Sequence, residues 1–179
     1  LILVTAHRRE NIGDGLASIC GAIKDLTDEL GDQIHVIFPV HLNPNVDGYV
    51  RSELGENLNI TLLPPLDYLS LVRCMDASYL ILTDSGGIQE EAPSLSKPVL
   101  VLRDVTERPE GVELGVAQLV GTDRAEIVEA ARSLIRDDAK YLTMSSPKNP
   151  YGDGRAAERI ADVLLGRKFV KFDSCTCGA

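Results

Sequence analysis

"ILTDSGGIQEEA", residues 81–92, carries an apolar run straight into Asp-Ser-Gly-Gly and then, one helical turn on, into two adjacent glutamates. A buried strand that stops at two glycines and restarts as a helix is the unit from which α/β chains are built. The glycines also remove side chains where something could approach the backbone closely. The same alternation runs outward in both directions. Strand-like runs occupy 1–6, 34–40 ("IHVIFPV"), 59–63, 78–83, 98–103 ("PVLVLR") and 117–121. Helical spacing fills the gaps. Leu16, Ile19, Ile23, Leu26 and Leu30 recur at three and four residues over 15–30, and shorter helices are predicted at 44–54 and 67–76. A helix at 85–95 is interrupted by Pro93, one at 123–138 opens on an Asp cap, and a last one spans about 155–165.

Strands alternating with helices predict a Rossmann-like, doubly wound parallel sheet of six strands covered on both faces. The common order for such a sheet is 3-2-1-4-5-6, with a ligand crevice at the carboxyl ends of strands 1 and 4, where the winding reverses. The loop after strand 1 is "AHRREN" (6–11) and the loop after strand 4 is "DSGG" (84–87), so the two chemically richest loops fall side by side.

The chain has 179 residues, enough for one full core and short for two. With 44% hydrophobic and 25% charged residues and no transmembrane-length apolar run, it is predicted to be a soluble globular protein without a membrane partner. A net charge of −9 argues against nucleic acid as a partner, though not against a small anion in one cleft. Cys20 and Cys74 sit in apolar helical patterns and read as buried thiols, consistent with a reducing cytoplasm. Cys175 and Cys177 lie in "DSCTCGA", read as part of a poorly ordered tail over 167–179 rather than half a metal site. No metal and no cofactor is expected. Residue 1 is Leu, and a strand starts at once, so the chain is expected to be a piece of a larger protein.

"DSGG" ahead of a helix offers free N–H groups, the positive end of a dipole and the Ser85 hydroxyl, which suit a phosphate or diphosphate approaching Gly86 and Gly87. The same residues also make a tight turn with Asp84 or Ser85 as N-cap, and the motif alone does not separate the two. The dinucleotide fingerprint and the Walker lysine loop are both absent. A carboxylate one turn below a bound phosphate can accept from ribose hydroxyls. Of Glu90 and Glu91, one is assigned to solvent and Glu91 to the ribose, although spacing alone does not choose between them. His7, Arg8 and Arg9 at the mouth of strand 1 can neutralise a diphosphate. Arg108 in "TERPE" and His41 in "PVHLNPNV" lie on the same edge.

The strings "VTAHRREN", "PVHLNPNV", "ILTDSGGIQEEAPSL" with "KPVLVLRD" and "TERPE", and "NPYGDG" together closely resemble the non-hydrolysing UDP-N-acetylglucosamine 2-epimerases, over nearly the whole chain to about Leu165. The resemblance implies the second, UDP-binding lobe of a two-lobed glycosyltransferase-B architecture, over 1–166. It implies elimination of UDP from UDP-GlcNAc as the C2 proton leaves, then reprotonation and return of UDP to give UDP-ManNAc. Ser85, Gly86 and Gly87 would hold the diphosphate, Glu91 the ribose and Arg108 the phosphate side, with His7 as the catalytic group near the departing phosphate. In bacterial members an effector UDP-GlcNAc binds beside the substrate, and Arg8 and His41 match positions associated with it. The partners implied are UDP-GlcNAc, UDP and an amino-terminal lobe of the same polypeptide, and a homodimer of the full protein is compatible. The family's acids for the C2 proton belong to that other lobe. A glycosyltransferase nucleotide lobe and a non-catalytic nucleotide-sugar-binding module are the alternative readings.

Overall fold

The computed structural model describes residues 1–146 and 149–172. Six strands form one parallel sheet: β1 (Ile2–Thr5), β2 (Val36–Pro39), β3 (Ile60–Leu63), β4 (Leu80–Thr83), β5 (Val99–Val101) and β6 (Ala117–Leu119). Their order is β3-β2-β1-β4-β5-β6, the one expected from the alternation, with Thr5 level with Thr83 at the carboxyl edge. Among the described residues eight α-helices accompany them: α1 (Asp14–Leu30), α2 (Pro44–Leu54), α3 (Tyr68–Ala77), α4 (Gly86–Glu91), α5 (Pro109–Glu113), α6 (Arg124–Arg136), α7 (Asp138–Met144) and α8 (Ala156–Leu164).

The sheet separates two cores because successive strand residues point to opposite faces. Ile2 and Val4 of β1, with Leu80 and Leu82 of β4, pack on the face covered by Ile19, Ile23 and Leu26 of α1 and by Ile127 and Leu134 of α6. Leu3 and Ile81, one residue out of phase, pack on the other face with Met75, Ile88 and Val99. Both faces being dry, β1 and β4 read as unbroken apolar runs.

Helix boundaries follow local chemistry. Asn43 and Asp67 cap α2 and α3, accepting from the backbone N–H of Asn45 and Ser70, and Pro44 supplies a preset φ at the first position of α2. Pro93 ends α4 early, and residues Ala92–Leu95 continue as a 3₁₀ turn. Two elements differ from the sequence expectation. The helix expected to run to 138 stops at Arg136, because Asp137 leaves helical geometry and its carboxylate caps a separate helix, α7, by accepting from Lys140 N–H. The short α5, entered through Pro109, was not expected. Of the expected tail 167–179, residues 173–179 with Cys175 and Cys177 lie outside the described residues, whereas the Val170 carbonyl accepts from Arg159 Nε at 2.8 Å.

Candidate functional site

β4 ends at Thr83, and Asp84 follows, fully buried. Its side chain does not cap α4. It turns to the loop after β1, where Oδ2 accepts from the backbone N–H of His7 (2.9 Å) and Arg8 (2.8 Å) and from Asn11 Nδ2 (3.0 Å). Asn11 Nδ2 also donates to the Leu102 carbonyl at 3.2 Å, so one buried amide joins the loops after β1, β4 and β5. Beneath them the hydroxyls of Thr5 and Thr83 meet at 2.6 Å, and Thr83 Oγ1 accepts the Ser85 N–H at 2.9 Å. Asp84 Oδ1 is buried without a hydrogen-bond partner, and His7 Nδ1 stands 3.4 Å from it.

Ser85 occupies the N-cap position of α4 without making a side-chain cap, so its hydroxyl stays available. The first helical bond runs from Gln89 N–H to the Ser85 carbonyl at 3.2 Å, so the N–H groups of Gly86, Gly87 and Ile88 precede the ladder. Neither Gly86 nor Gly87 has a positive φ. A Cβ built on Gly86 would lie 3.6 Å from Arg8 Nη2, and one on Gly87 3.9 Å from both Glu91 Oε1 and Ser85 Oγ, all ordinary contact distances. Neither backbone conformation nor packing within the chain therefore requires glycine here.

An open cleft of about 270 Å³ lies there. Thr5, His7, His41, Ser85 and Glu91 supply its polar wall, and Val40, Pro65, Leu66 and Leu71 its apolar side. The rings of His7 and His41 stack at 5.5 Å, only 9° from parallel. His41 Nδ1 accepts the Asn43 N–H at 3.1 Å, which orients that ring. A mostly apolar recess with a few convergent polar groups is the usual form of a small-molecule site. Among the described residues no group of three or more His, Cys, Asp or Glu is gathered for a metal.

Of the expected site residues, Ser85, Gly87, Glu91, His7 and His41 line this cleft, whereas Gly86 and Arg8 do not; Arg8 Nη2 lies near Gly86 and its Nη1 3.7 Å from Glu107. Arg108 is held apart. Its Nε donates to Glu90 and its Nη1 to the Glu107 carbonyl at 3.0 Å, and it does not line the cleft. That ion pair also divides the two adjacent acids: Glu90 is committed to Arg108, leaving Glu91 facing the cleft. "NPYGDG" acts as a clasp for the same region. Tyr151 Oη accepts the Gly111 N–H (3.0 Å) and donates to the Arg108 carbonyl (3.2 Å), and Asn149 Nδ2 donates to Ser94 Oγ (2.6 Å).

Sequence reasoning missed the buried supports of this edge. Arg103 is only 6% exposed, yet its Nε donates to Glu10 (2.7 Å) and its Nη1 and Nη2 to Glu107 (2.5 and 3.0 Å). The available signal was a cation closing the apolar run "PVLVLR". The Arg103 hydrogen bonds bring the Glu107 carboxyl down to about 2. A larger cavity of about 460 Å³ lies between α8 and residues 168–170, where Arg155 pairs with Glu158, Arg159 with Asp153 and Asp162 with Arg167.

The family model described as UDP-N-acetylglucosamine 2-epimerase matches residues 1–165. The UDP-N-acetylglucosamine 2-epimerase of Escherichia coli O157:H7 is 54% identical over 168 residues, covering 94% of this chain and 44% of the relative. That of Campylobacter jejuni is 52% identical, over 93% of this chain and 43% of the relative. The chain thus spans less than half the length of the curated relatives it matches. Among solved structures, the Neisseria meningitidis UDP-GlcNAc 2-epimerase bound to UDP-GlcNAc superposes with a TM-score of 0.88 at 46% identity, over 93% of this chain and 44% of that one. The S. aureus MnaA–UDP co-structure gives 0.91 at 48% identity, over 96% and 48%. The glycosyltransferase WaaG, at 15% identity and a TM-score of 0.65 over 92% of this chain and 47% of that one, shares the fold alone.

Proposed function

The chain belongs to the UDP-N-acetylglucosamine 2-epimerase family, and we propose that residues 1–166 are the UDP-binding lobe of an enzyme interconverting UDP-GlcNAc and UDP-ManNAc. The observation that carries this is the convergence of Ser85, Gly87, Glu91 and His7 on one cleft at the β1/β4 crevice, with glycines that nothing inside the chain requires. In this assignment the diphosphate lies on the first-turn N–H groups of α4 and Ser85 Oγ, with Arg8 as the nearby cation. Glu91 accepts from the ribose hydroxyls, and the base rests on the apolar side formed by Val40, Pro65 and Leu66. His7 faces the oxygen that departs with UDP.

Elimination breaks the bond between C1 and the phosphate oxygen as a base takes the C2 proton, leaving 2-acetamidoglucal and UDP. Return of the proton to the other face and of UDP to C1 completes the change. Glu90 is paired with Arg108 and Glu91 is assigned to the ribose, so the C2 base is assigned to a further lobe, in keeping with relatives more than twice as long. Free thiols at Cys20 and Cys74 and a nucleotide-sugar substrate favour a cytoplasmic setting. The test is calorimetric titration of this chain with UDP and with uridine. UDP should bind the more tightly, and equal affinity would remove the diphosphate assignment. With UDP-GlcNAc in deuterated water the chain alone should not exchange the C2 proton.

A further inference from the structure

We propose that Asp84 is a positioning residue for His7: its Oδ1 takes the imidazole Nδ1–H, fixing the proton on Nδ1 and leaving Nε2 unprotonated for the cleft. The role assigned to His7 rests on the function proposed above, whereas the tautomer does not. Asp84 is fully buried, and a buried carboxylate oxygen without a donor is costly. Oδ2 is supplied threefold, by His7 N–H, Arg8 N–H and Asn11 Nδ2. Oδ1 has no hydrogen bond, and the imidazole nitrogen 3.4 Å away stands just beyond ordinary hydrogen-bond length. A small turn of the half-exposed His7 ring closes that gap. One carboxylate then holds His7 twice, by its backbone through Oδ2 and by its ring through Oδ1.

Which nitrogen of a histidine carries the proton is set by the bond the other makes. The neighbouring ring supplies the contrast, since His41 Nδ1 accepts the Asn43 N–H and its proton therefore belongs on Nε2. Two stacked imidazoles 5.5 Å apart are thus expected in opposite tautomers. In the His7 form, Nε2 has a lone pair for a proton. Once it holds one, the buried carboxylate behind the ring steadies the cation until that proton passes to an anionic oxygen in front.

The test is long-range ¹H–¹⁵N correlation NMR on this chain without nucleotide, at about pH 8.5, well above the ordinary imidazole value of about 6.5. The chain has three histidines, so loss of one signal set in His7→Gln assigns the residue. His7 should show a protonated Nδ1 and a pyridine-like Nε2, and His41 the reverse. Asp84→Asn sharpens the expectation. Three donors require an oxygen at the Oδ2 position, so the amide nitrogen must take the place of Oδ1 and donate to Nδ1, moving the pyridine-like signal from Nε2 to Nδ1. If Asp84→Asn does not fold, the measurement on the unmodified chain still decides. A protonated Nε2 on His7 in the unmodified chain would overturn the proposal, as would a folded Asp84→Asn with an unchanged tautomer. Adding UDP to the same samples separates the two inferences: a correct tautomer in a chain that ignores UDP leaves Asp84 in its role and removes the functional assignment.

Discussion

Replacing Gly87 by alanine should separate packing from ligand clearance within one protein. Gly87 is the second residue of α4 and its φ is not positive, so alanine fits the backbone. The added methyl would lie 3.9 Å from Ser85 Oγ and Glu91 Oε1, at ordinary contact, and would collide with nothing. Alanine is better than glycine in a helix by about 0.5–1 kcal/mol, partly because the unfolded chain loses freedom. In a chain of this size that corresponds to a rise of roughly 1–4 °C in Tm. UDP should respond in the opposite sense. A phosphate oxygen must come within about 2.7–3.2 Å of an N–H to bond it, and the methyl would stand in that approach. Losing one charge-assisted hydrogen bond costs about 1.5–3 kcal/mol, or about 10- to 150-fold in affinity. Thermal unfolding and calorimetric titration on the same preparation measure both. A variant that melts earlier would show that the glycine serves internal packing, and one that melts later with unchanged UDP affinity would show that the diphosphate does not use this turn.

Glu91→Gln should weaken UDP while leaving pyrophosphate binding unchanged, and Glu90→Gln should do less because Glu90 is engaged by Arg108; calorimetry giving the reverse order would exchange the roles of the two acids. Glu107 is held at about 2 against an ordinary 4.5, chiefly by the Arg103 hydrogen bond. A depressed folded value stabilises the chain above the unfolded one, so this contribution is complete above about pH 4.5 and fades as the pH falls towards about 2. Urea unfolding of the wild type and Glu107→Gln should therefore converge across that interval. Cys20 is buried and its thiol is pushed up to about 12, first by burial and then by Glu53, so iodoacetamide should spare it in the native chain and label it after unfolding, as read by peptide mass spectrometry.

The sheet was legible because its signals are local and repeated. Unbroken apolar runs separated by helical spacing leave few topologies, and the crevice then falls at the ends of β1 and β4 from winding alone. Capping chemistry was legible for the same reason at Asp123. The side-chain directions at the strand ends were not. Asp84 has the spacing of a cap, but the last residue of β4 aims it into the sheet edge, where Asn11 and two backbone N–H groups wait 73 to 77 residues away in sequence. Nor could spacing show that Glu90 is the acid that pairs with Arg108, a partner 18 residues on. Arg108 shows the same limit from the other side, since its place on the loop after β5 did not reveal its ion pair with Glu90.

Arg103 makes the two loops it joins open as one. Its guanidinium is almost wholly out of water, and among the described residues its charge is answered by Glu10 from the loop after β1 and Glu107 from the loop after β5. Either acid leaving alone would leave the Arg103 cation half-compensated, although both carboxylates are themselves about half exposed. Slow amide exchange in residues 9–11 and 104–107 should therefore share one opening free energy, so that the rim of the cleft behaves as a single hinged part rather than as two independent flaps.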